Sequence, residues 1–368
     1  MTAPQWPRIE DVCTSAYAVP TATPFEQDGT LTWDRTEIVV VEVHAGGHVG
    51  LGYTYASSAA ATVIEATLAE IIRSGEVSQP QRTWARMQVA SRQLGHSGLA
   101  AMAISAVDIA LWDLKARVLE LSLADLLGRF RPAVAIYGSG GFCNLTEDEL
   151  AAQVADWREV GARHMKIKVG ADPGQDPARV EQLRELAGSE VELMVDANGA
   201  YDVPAALAHA ETFARLGVSY LEEPLSSQNV SGLAAVAARA PAGMAVAAGE
   251  YAWNLTTLEH LLDAGAVHIL QADVTRCGGI TNMLRIDGLC RGHEIPFSAH
   301  CAPAVSAHAC AAMESARNIE YFVDHARIEQ LLFNGTISPE DGALSPDPGR
   351  PGHGLSLDQA RAQPHAVA

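Results

Sequence analysis

The sequence of 368 residues predicts an α/β protein in which a barrel of alternating strands and helices follows an α+β unit. Two observations support this fold class. The opening third contains a strand followed by long helical stretches, whereas the chain after residue 133 alternates short apolar runs with helical stretches. Most of the apolar runs also end in a charged or polar residue, as strands do when their ends line the mouth of a barrel.

The opening third is predicted to contain one strand and two helical regions. Thr36 to His44 has the apolar content of a strand, and Gly46-Gly47-His48 is typical of a turn. Ala60 to Arg73 has the periodicity of an amphipathic helix, and Arg82 to Glu120 is largely helical with a break near two glycines. This order of elements predicts an α+β unit.

The barrel prediction depends on eight apolar runs with helical stretches between them. The eight runs are Val134–Tyr137, Met165–Val169, Val191–Val195, Tyr220–Leu221, Met244–Ala247, Val267–Leu270, Ile295–Phe297 and Ile319–Phe322. The segment from Asp341 to Gly354 is rich in Pro and Gly and contains no further strand–helix unit. We therefore expect this tail to pack back onto the N-terminal unit.

Composition excludes several classes of partner. The net charge of −19 and the lack of a basic run argue against binding to nucleic acid. No run of 18 apolar residues is present, so no membrane span is expected, and the N-terminus lacks the pattern of a signal peptide. The six cysteines form no CxxC pair. They predict reduced thiols in a cytoplasmic protein.

Charged residues stand at or just after seven of the predicted strands, at intervals of 20 to 28 residues. Because parallel strands of a barrel end at the same face, these side chains should converge on one mouth. The series consists of Lys168, Asp196, Glu222, Glu250, Asp273, His300 and Glu320. The spacing therefore predicts an active site at this mouth.

Three consecutive members of the series, Asp196, Glu222 and Glu250, are the candidate metal ligands. Carboxylates that converge repel one another unless a cation holds them, and oxygen ligands favour a hard cation such as Mg²⁺. Any one of these residues could instead cap the helix that follows it. Three in consecutive register, with basic residues on both sides, favour the metal site.

Two candidate bases flank the metal site. Lysine is scarce, with three in the chain, yet Lys166 and Lys168 lie two residues apart and point to the same side of a strand. Lys166 and a metal would lower the pKa of Lys168. Asp273 would orient His300 and raise its basicity. Glu320 would donate a hydrogen bond to a developing oxyanion if its pKa is raised. This set suits abstraction of a proton beside a carboxylate, followed by stabilisation of the enediolate.

The motifs resemble those of the enolase superfamily, mandelate racemase subgroup (mandelate racemase/muconate lactonizing enzyme-like). A long helix signature runs from Ala103 to Arg117 and on to Gly128. The other matching motifs, in order, are Lys166-Ile167-Lys168, Val195–Gly199, Glu222-Glu223-Pro224, Gly249-Glu250, Asp273–Gly279 and Ser298–His300. The resemblance implies a (β/α)7β TIM-like barrel at 129–340 beneath an α+β capping domain of residues 1–128, completed by about 341–368.

The resemblance also implies roles for individual residues. Asp196, Glu222 and Glu250 would bind Mg²⁺, and Lys168 and His300 with Asp273 would be opposed bases. Lys166 would contact the substrate carboxylate, Asn198 would line the pocket, and Glu320 would be the acid of the last strand. No lysine follows Lys168, which excludes the subgroups that place a basic lysine late in the barrel.

The second half of the reaction stays open at this level. Loss of a β-hydroxyl would make the protein an acid-sugar dehydratase (a lyase of carbohydrate catabolism that forms a 2-keto-3-deoxy acid), whereas reprotonation would make it a racemase or epimerase. By analogy we favour dehydration of an aldonate. A non-catalytic binding relative is the remote alternative, because such a chain would have lost one of these residues.

Specificity is expected from two capping loops, Val19 to Trp33 and Gly46 to Ser58. Possible substrate contacts are Tyr17, Trp33, His48, Tyr55 and Arg276, each of which could equally pack within the protein. Arg276 would be either a second anion contact or part of a salt bridge facing a helix. The partners expected are a small-molecule carboxylate and further copies of the chain in a homo-oligomer.

Overall fold

The computed structural model describes residues 6–367; residues 1–5 of the segment discussed above for signal peptides lie outside this range. The N-terminal unit is built on an antiparallel sheet of order β1-β4-β5, with a two-stranded ribbon of β2 and β3. The bounds are β1 Asp11–Pro20, β2 Glu26–Gln27, β3 Thr32–Trp33, β4 Arg35–Ala45 and β5 His48–Thr54. The strand predicted over 36–44 is thus found, whereas β1 was not predicted.

Strand β4 is buried on both faces because its residues alternate between two cores. Ile38 and Val40 pack into the large core shared with the barrel. Val39, Val41 and Val43 pack into the core beneath the N-terminal helices. This double burial explains why the central run of the strand is continuously apolar rather than alternating.

The helices of the N-terminal unit follow in the predicted order. A helix of two α-segments, α1 Ala59–Val63 and α2 Ala69–Arg73, is continuous through a π-helical turn, Ile64–Leu68. Further along lie α3 Pro80–Ala90, a 3-10 turn Ser91–Gln93, α4 Leu99–Val118 and α5 Leu123–Leu127. The break near the two glycines falls between α3 and α4, as predicted.

Helix α4 lies directly on strand β5. A Cβ atom on Gly50 would collide with the carbonyl oxygen of Ala110, and one on Gly52 with that of Ala106. Glycine is therefore required at both positions for the close approach of helix and strand. The segment from Gly46 to Ser58, predicted as one specificity loop, is corrected here: most of it is this buried strand, and only Tyr55–Ser58 remain as loop.

Eight parallel strands form the barrel, and the last of them closes against the first. The strands are β6 Val134–Gly140, β7 His164–Lys168, β8 Glu192–Asp196, β9 Val218–Glu222, β10 Ala245–Ala248, β11 Ile269–Asp273, β12 Phe297–His300 and β13 Ala316–Phe322. All eight predicted strands are present. The predicted fold class, a (β/α)7β TIM-like barrel with an α+β cap, is confirmed.

The helices that follow these strands cover the barrel. They are α6 Glu147–Glu159, α7 Asp176–Ala187, α8 Val203–Arg215, α9 Val230–Ala237, α10 Leu255–Asp263, α11 Gly279–Gly292, α12 Pro303–Ala312 and α13 Val323–Leu332. Polar caps start several of them, as in α6, where Thr146 and Glu149 form a reciprocal capping box. No helix within residues 6–367 is long and apolar enough to cross a bilayer.

The tail joins the cap to the barrel. It contains β14 Phe333–Asn334, β15 Ala343–Leu344, β16 Ser356–Leu357, α14 Gln359–Ala362 and a final 3-10 turn, Gln363–His365. The backbone nitrogen of His353 donates to Asp113 Oδ1 of α4 at 2.8 Å, and its Nε2 lies 2.6 Å from the carbonyl oxygen of Leu51 in β5. The tail therefore packs against the N-terminal unit, as expected.

Candidate active site

The strand ends bring the predicted series of charged residues to one mouth of the barrel. Lys168, Asp196 and Glu222 are the last residues of three adjacent strands and stand in register with one another. Asp273 and His300 are likewise paired at the ends of β11 and β12. Glu250 lies two residues beyond β10, and Glu320 lies near the end of β13. All seven side chains are buried.

Asp196, Glu222 and Glu250 form a compact carboxylate triad. One ligand atom from each lies within 4.8 Å of the other two. Burial and the neighbouring Asp196 carboxylate raise the pKa of Glu222 to about 8, because the triad concentrates like charge in a desolvated place. Glu222 Oε1 and Glu250 Oε2 are buried without a hydrogen-bond partner. Unpaired buried oxygens of this kind fit a hard divalent cation.

Glu223 follows Glu222 but does not belong to the triad. Its backbone has a φ of 34°, and its nitrogen donates to the carbonyl oxygen of Ala247. Burial, together with the charge of Glu250, raises its pKa well above the ordinary value. The geometry thus selects the first glutamate of the Glu-Glu-Pro motif for the carboxylate triad.

The two lysines have different surroundings. Lys166 is 1% exposed, and its Nζ lies 2.7 Å from Glu222 Oε2 and 2.8 Å from Glu320 Oε1. Lys168 Nζ contacts Asp196 Oδ2 at 2.6 Å and reaches the open cavity. Lys166 lies beneath the carboxylates and is not part of the cavity wall, so the predicted contact with a substrate carboxylate has no direct geometric support.

The predicted lowering of the Lys168 pKa is not found in the metal-free site. Burial does work in that direction, and so does the charge of Lys166, but the carboxylate of Asp196 outweighs both and raises the pKa above its ordinary value. The attraction depends on Asp196 being free to face Lys168. If Asp196 ligates a cation, it attracts Lys168 less, and the pKa of Lys168 falls.

His300 is held between two carboxylates. Its Nδ1 lies 2.8 Å from Asp273 Oδ2, and its Nε2 lies 3.1 Å from Glu250 Oε2. Asp273 is itself fixed, because its Oδ1 accepts hydrogen bonds from the backbone nitrogen and the hydroxyl of Thr275, both at 2.7 Å. Burial opposes a charged imidazole, but Cys301 and the carboxylates of Glu250 and Glu320 raise the pKa of His300 well above its ordinary value.

Glu320 does not meet the condition set for a hydrogen-bond donor. Burial raises its pKa, but the charges of Lys166, His300 and Lys168 together bring the pKa below the ordinary value. Its Oε1 accepts from the hydroxyl of Ser139 at 2.6 Å, and its Oε2 accepts from the backbone nitrogen of Cys301 at 3.2 Å. In this arrangement Glu320 is an ionised acceptor and cannot donate to an oxyanion.

A cavity of about 390 Å³ opens above the carboxylates. Of the predicted specificity residues, Trp33, Tyr55, Asn198 and Arg276 line it. Tyr17 and His48 do not: Tyr17 is buried in β1 opposite Ile38, and His48 is exposed at the start of β5. The sequence interpretation missed several lining residues, which are Asp28, Leu31, Arg35, Tyr251, Cys301, Phe322 and His325. Tyr251 and Cys301 directly follow Glu250 and His300, which would have been a usable signal.

Aromatic rings form one wall of the cavity. Tyr55 stacks on His325 with ring centroids 3.4 Å apart, and Trp33 meets Phe142 edge to face at 5.6 Å. Burial lowers the pKa of His325 to about 3, and its Nδ1 is buried without a partner. The wall therefore presents apolar faces with an uncharged polar atom among them.

Arg276 faces the cavity and not a helix. Its Nε lies 3.5 Å from Asp273 Oδ2, and its Nη1 lies 3.9 Å from Glu250 Oε1. Neither atom has a hydrogen-bond partner, and the guanidinium lies 5.2 Å from the centre of the Tyr251 ring. The guanidinium thus has unused donors beside the carboxylate triad.

Strained backbone is concentrated at this mouth. Asn198, Cys301 and Ala302 have φ values of 45°, 50° and 46°, in the left-handed region that residues with side chains rarely adopt. Each such residue costs about 1–3 kcal/mol, a cost that proteins tolerate mainly at functional sites. The strain is a second, independent sign that the mouth of the barrel is the functional end.

Fold and site together define a class of barrel enzyme, with a capped barrel, a carboxylate triad and a base on either side. Two family models match the chain: the N-terminal domain of mandelate racemase / muconate lactonizing enzyme over residues 10–128, and the enolase C-terminal domain-like family over residues 149–361. The chain belongs to the mandelate racemase/muconate lactonizing enzyme family of the enolase superfamily.

Named relatives act on acid sugars. The L-talarate/galactarate dehydratase of Salmonella typhimurium is 33% identical over 92% of this chain and 86% of its own length. The 3,6-anhydro-alpha-L-galactonate cycloisomerase of Streptomyces coelicolor is 31% identical over 96% of this chain and 98% of its own length.

Solved structures share the whole fold. A mandelate racemase/muconate lactonizing enzyme-like protein from Rubrobacter xylanophilus has a TM-score of 0.96 and 55% identity, covering 98% of this chain and 100% of its own. The Salmonella dehydratase liganded with Mg and L-lyxarohydroxamate has a TM-score of 0.90 and 30% identity, covering 100% of this chain and 95% of its own.

Proposed function

We propose that the protein is a Mg²⁺-dependent dehydratase that abstracts the α-proton of an acid sugar and forms a 2-keto-3-deoxy acid. One observation carries this proposal: two basic side chains reach the carboxylate triad from different strands. Lys168 contacts Asp196 at 2.6 Å, and His300 lies 3.1 Å from Glu250. A carboxylate substrate placed at the triad would present its α-carbon between the two bases.

Asp196, Glu222 and Glu250 would hold Mg²⁺. When bound, the cation would supply positive charge to the substrate carboxylate and so stabilise the enediolate. Lys166 would keep the buried part of the site neutral by pairing with Glu222 and Glu320, a role that follows from its contacts and differs from the direct substrate contact implied by resemblance. Glu320, as an ionised acceptor, would hold Lys166 in place.

Lys168 and His300 would move the protons. One of them takes the α-proton, and the imidazolium of His300 then gives a proton to the departing β-hydroxyl, which leaves as water. The resulting enol becomes the 2-keto acid when it takes up a proton at C3. Asp273 would hold His300 in the tautomer that presents Nε2 to the substrate, because it occupies Nδ1.

The walls of the cavity would select the substrate. Asn198, Trp33 and Tyr55 line it together with the unpaired guanidinium of Arg276. An arginine with free donors in a desolvated place favours an anionic or hydroxylated substrate. Two named relatives, a dehydratase and a cycloisomerase, act on acid sugars or their derivatives, which supports the substrate class.

Racemisation or epimerisation of a 2-hydroxy acid is the second candidate. It is favoured by the same pair of bases, since Lys168 and His300 on opposite faces could remove and return a proton. The two reactions differ in their products. Dehydration yields a keto acid, whereas epimerisation changes optical rotation and yields no keto acid.

We further propose that the enzyme works in the cytoplasm as a homo-oligomer. The six cysteines are all free, which suits a reducing compartment. Sedimentation at several protein concentrations would measure the assembly. A single species at the mass of one chain would contradict it.

The test is a screen of acid sugars with Mg²⁺, in which 2-keto products are trapped with semicarbazide. A keto product from an aldonate or aldarate supports dehydration. In D₂O, solvent deuterium should enter the α-position, and Lys168→Ala and His300→Asn should each abolish exchange on one face. Lys115→Ala and His293→Asn, which alter residues away from the cavity, serve as matched controls. Full activity of both site variants would overturn the assignment.

A further inference from the structure

Cys301 lies directly after His300, where β12 has ended and α12 has not begun. In a continuing strand its side chain would point away from that of His300. The left-handed φ of Cys301 and of Ala302, 50° and 46°, reverses the chain here. The thiol consequently lies on the same side as the imidazole and lines the same cavity.

The thiol completes a triangle of three different donor atoms. Cys301 Sγ lies 3.4 Å from His300 Nε2 and 3.3 Å from Glu320 Oε2, and the last two atoms are 3.5 Å apart. A tetrahedral zinc ion, with bonds of about 2.3 Å to sulfur and about 2.0 Å to nitrogen and oxygen, spaces such donors roughly 3.3–3.5 Å apart. The three edges of the triangle already match this spacing.

We propose that His300, Cys301 and Glu320 form a second cation site, which takes a thiophilic divalent metal such as Zn²⁺ and thereby inhibits the enzyme. We call these three residues the thiol triad. They differ from the carboxylate triad in chemistry: sulfur and imidazole nitrogen favour Zn²⁺, whereas three carboxylates favour Mg²⁺. The thiol triad and the carboxylate triad share no residue.

The orientation of Glu320 leaves the required oxygen available. Lys166 and Ser139 hold Oε1, whereas Oε2 faces Cys301 and His300. A metal would therefore bind Oε2 without displacing Lys166. All three residues of the thiol triad line the cavity, so the fourth position of a tetrahedral metal would face water or substrate.

Binding would take two groups out of use. The thiol gives up its proton to solvent as the metal–sulfur bond forms, and the lone pair of His300 Nε2 is committed to the metal. His300 could then neither take nor give a proton. The inhibition rests on the proposed function, in which His300 transfers protons, whereas the metal binding itself does not.

The metal site can be tested without any substrate. Co²⁺ is added to protein saturated with Mg²⁺, and the near-ultraviolet band of a cobalt–thiolate bond is measured. Wild-type protein should show the band at one equivalent of Co²⁺, and Cys301→Ser and Cys301→Ala should lose it. Cys143→Ser, which alters a cysteine outside both metal-ligating groups, is the matched control and should keep it. A wild-type protein without the band would overturn the proposal, as would a band that persists in both Cys301 variants.

Zn²⁺ inhibition provides the second arm once a substrate is known. Removal of an outer-sphere residue typically weakens metal binding by about 10–100-fold, so loss of a ligand should raise the inhibitory Zn²⁺ concentration at least about tenfold. Each variant is compared with its own activity without zinc. Equal inhibition of wild-type and Cys301→Ser protein would show that zinc replaces Mg²⁺ at the carboxylates, which contradicts the thiol triad. Failure to find any substrate would challenge the proposed function and leave the cobalt result to decide this one.

Discussion

Asp273 Oδ2 lies 2.8 Å from His300 Nδ1, and the two residues are paired at the ends of adjacent barrel strands. The pairing leaves Nε2 directed towards Glu250 and the cavity. One carboxylate therefore sets which nitrogen of the imidazole can exchange a proton with a substrate.

Asp273→Asn should impair proton transfer by His300 far more than transfer by Lys168. The amide fits the same space but can donate to Nδ1, which would place the imidazole proton on Nε2. We expect the rate of α-proton exchange on the His300 face to fall by about 10²–10⁴-fold. Asp202→Asn, at the exposed cap of α8, is the matched control. Equal rates on both faces in D₂O would contradict this role.

Lys166→Met should destabilise the metal-free protein. The change leaves Glu222 and Glu320 as buried carboxylates that have lost their cation, a loss that typically costs about 3–5 kcal/mol. Chemical denaturation in the presence of a chelator would measure the free energy of unfolding. Lys115→Met, in which the lysine lies over the Trp112 ring and is not paired with a carboxylate in the described structure, is the control. Similar losses for the two variants would show that Lys166 does not balance this charge.

Removal of Mg²⁺ should lower the thermal stability of the protein. The carboxylate triad is preformed and mutually repulsive, so a cation binds the folded chain and not the unfolded one. At a free concentration 100 times its Kd, a ligand of this kind adds about 2.7 kcal/mol to the free energy of unfolding. Calorimetry with Mg²⁺ and with EDTA would measure the change. Asp196→Asn should reduce the increment, and an increment unchanged in that variant would contradict the assigned ligands.

Stability should also fall in mildly acidic solution because of His308. This side chain is buried, its Nδ1 accepts from the backbone nitrogen of Ala124, and burial lowers its pKa to about 3 from an ordinary value of 6.5. As the pH falls below about 6.5, the unfolded chain takes up the proton first, so the stability contributed by neutral His308 is lost between about pH 6.5 and pH 3. The expected loss from pH 7 to pH 5 is about 2 kcal/mol.

His308→Asn tests that contribution. Asparagine Oδ1 can replace Nδ1 as the acceptor, but it does not titrate, so the variant should lose less stability between pH 7 and pH 5. Denaturant unfolding at several pH values would measure the difference. The same change at the exposed His293 should leave the slope as in the wild type. A wild-type slope in His308→Asn would refute the prediction.

The barrel and the charged series were predictable because each depends on a short stretch of sequence. A strand that is buried on both faces must be apolar throughout, and its last residue must reach the mouth, so both features appear as a run that ends in a charge. Asp196 and Glu222 could thus be placed before the structure was known. The same rule holds for Asp273 and His300.

What depends on distant parts of the chain could not be predicted. Strand β5 was mistaken for loop because Gly50 and Gly52 are typical of turns, whereas here they admit helix α4. The pKa of Glu320 could not be judged without knowing that Lys166 lies 2.8 Å away across the barrel. His325 reaches the cavity through the path of the chain after β13, which no local pattern reports.

The contact between α4 and β5 also has a consequence for laboratory evolution. At Gly50 and Gly52 any side chain meets a carbonyl oxygen of the helix, so a random library over residues 48–54 would consist mostly of chains that do not fold. The neighbouring segments 21–33 and 55–58 have no such restriction along their whole length, and both supply residues to the cavity. New substrate preferences should therefore be sought by varying these two segments while the glycines of β5 stay unchanged.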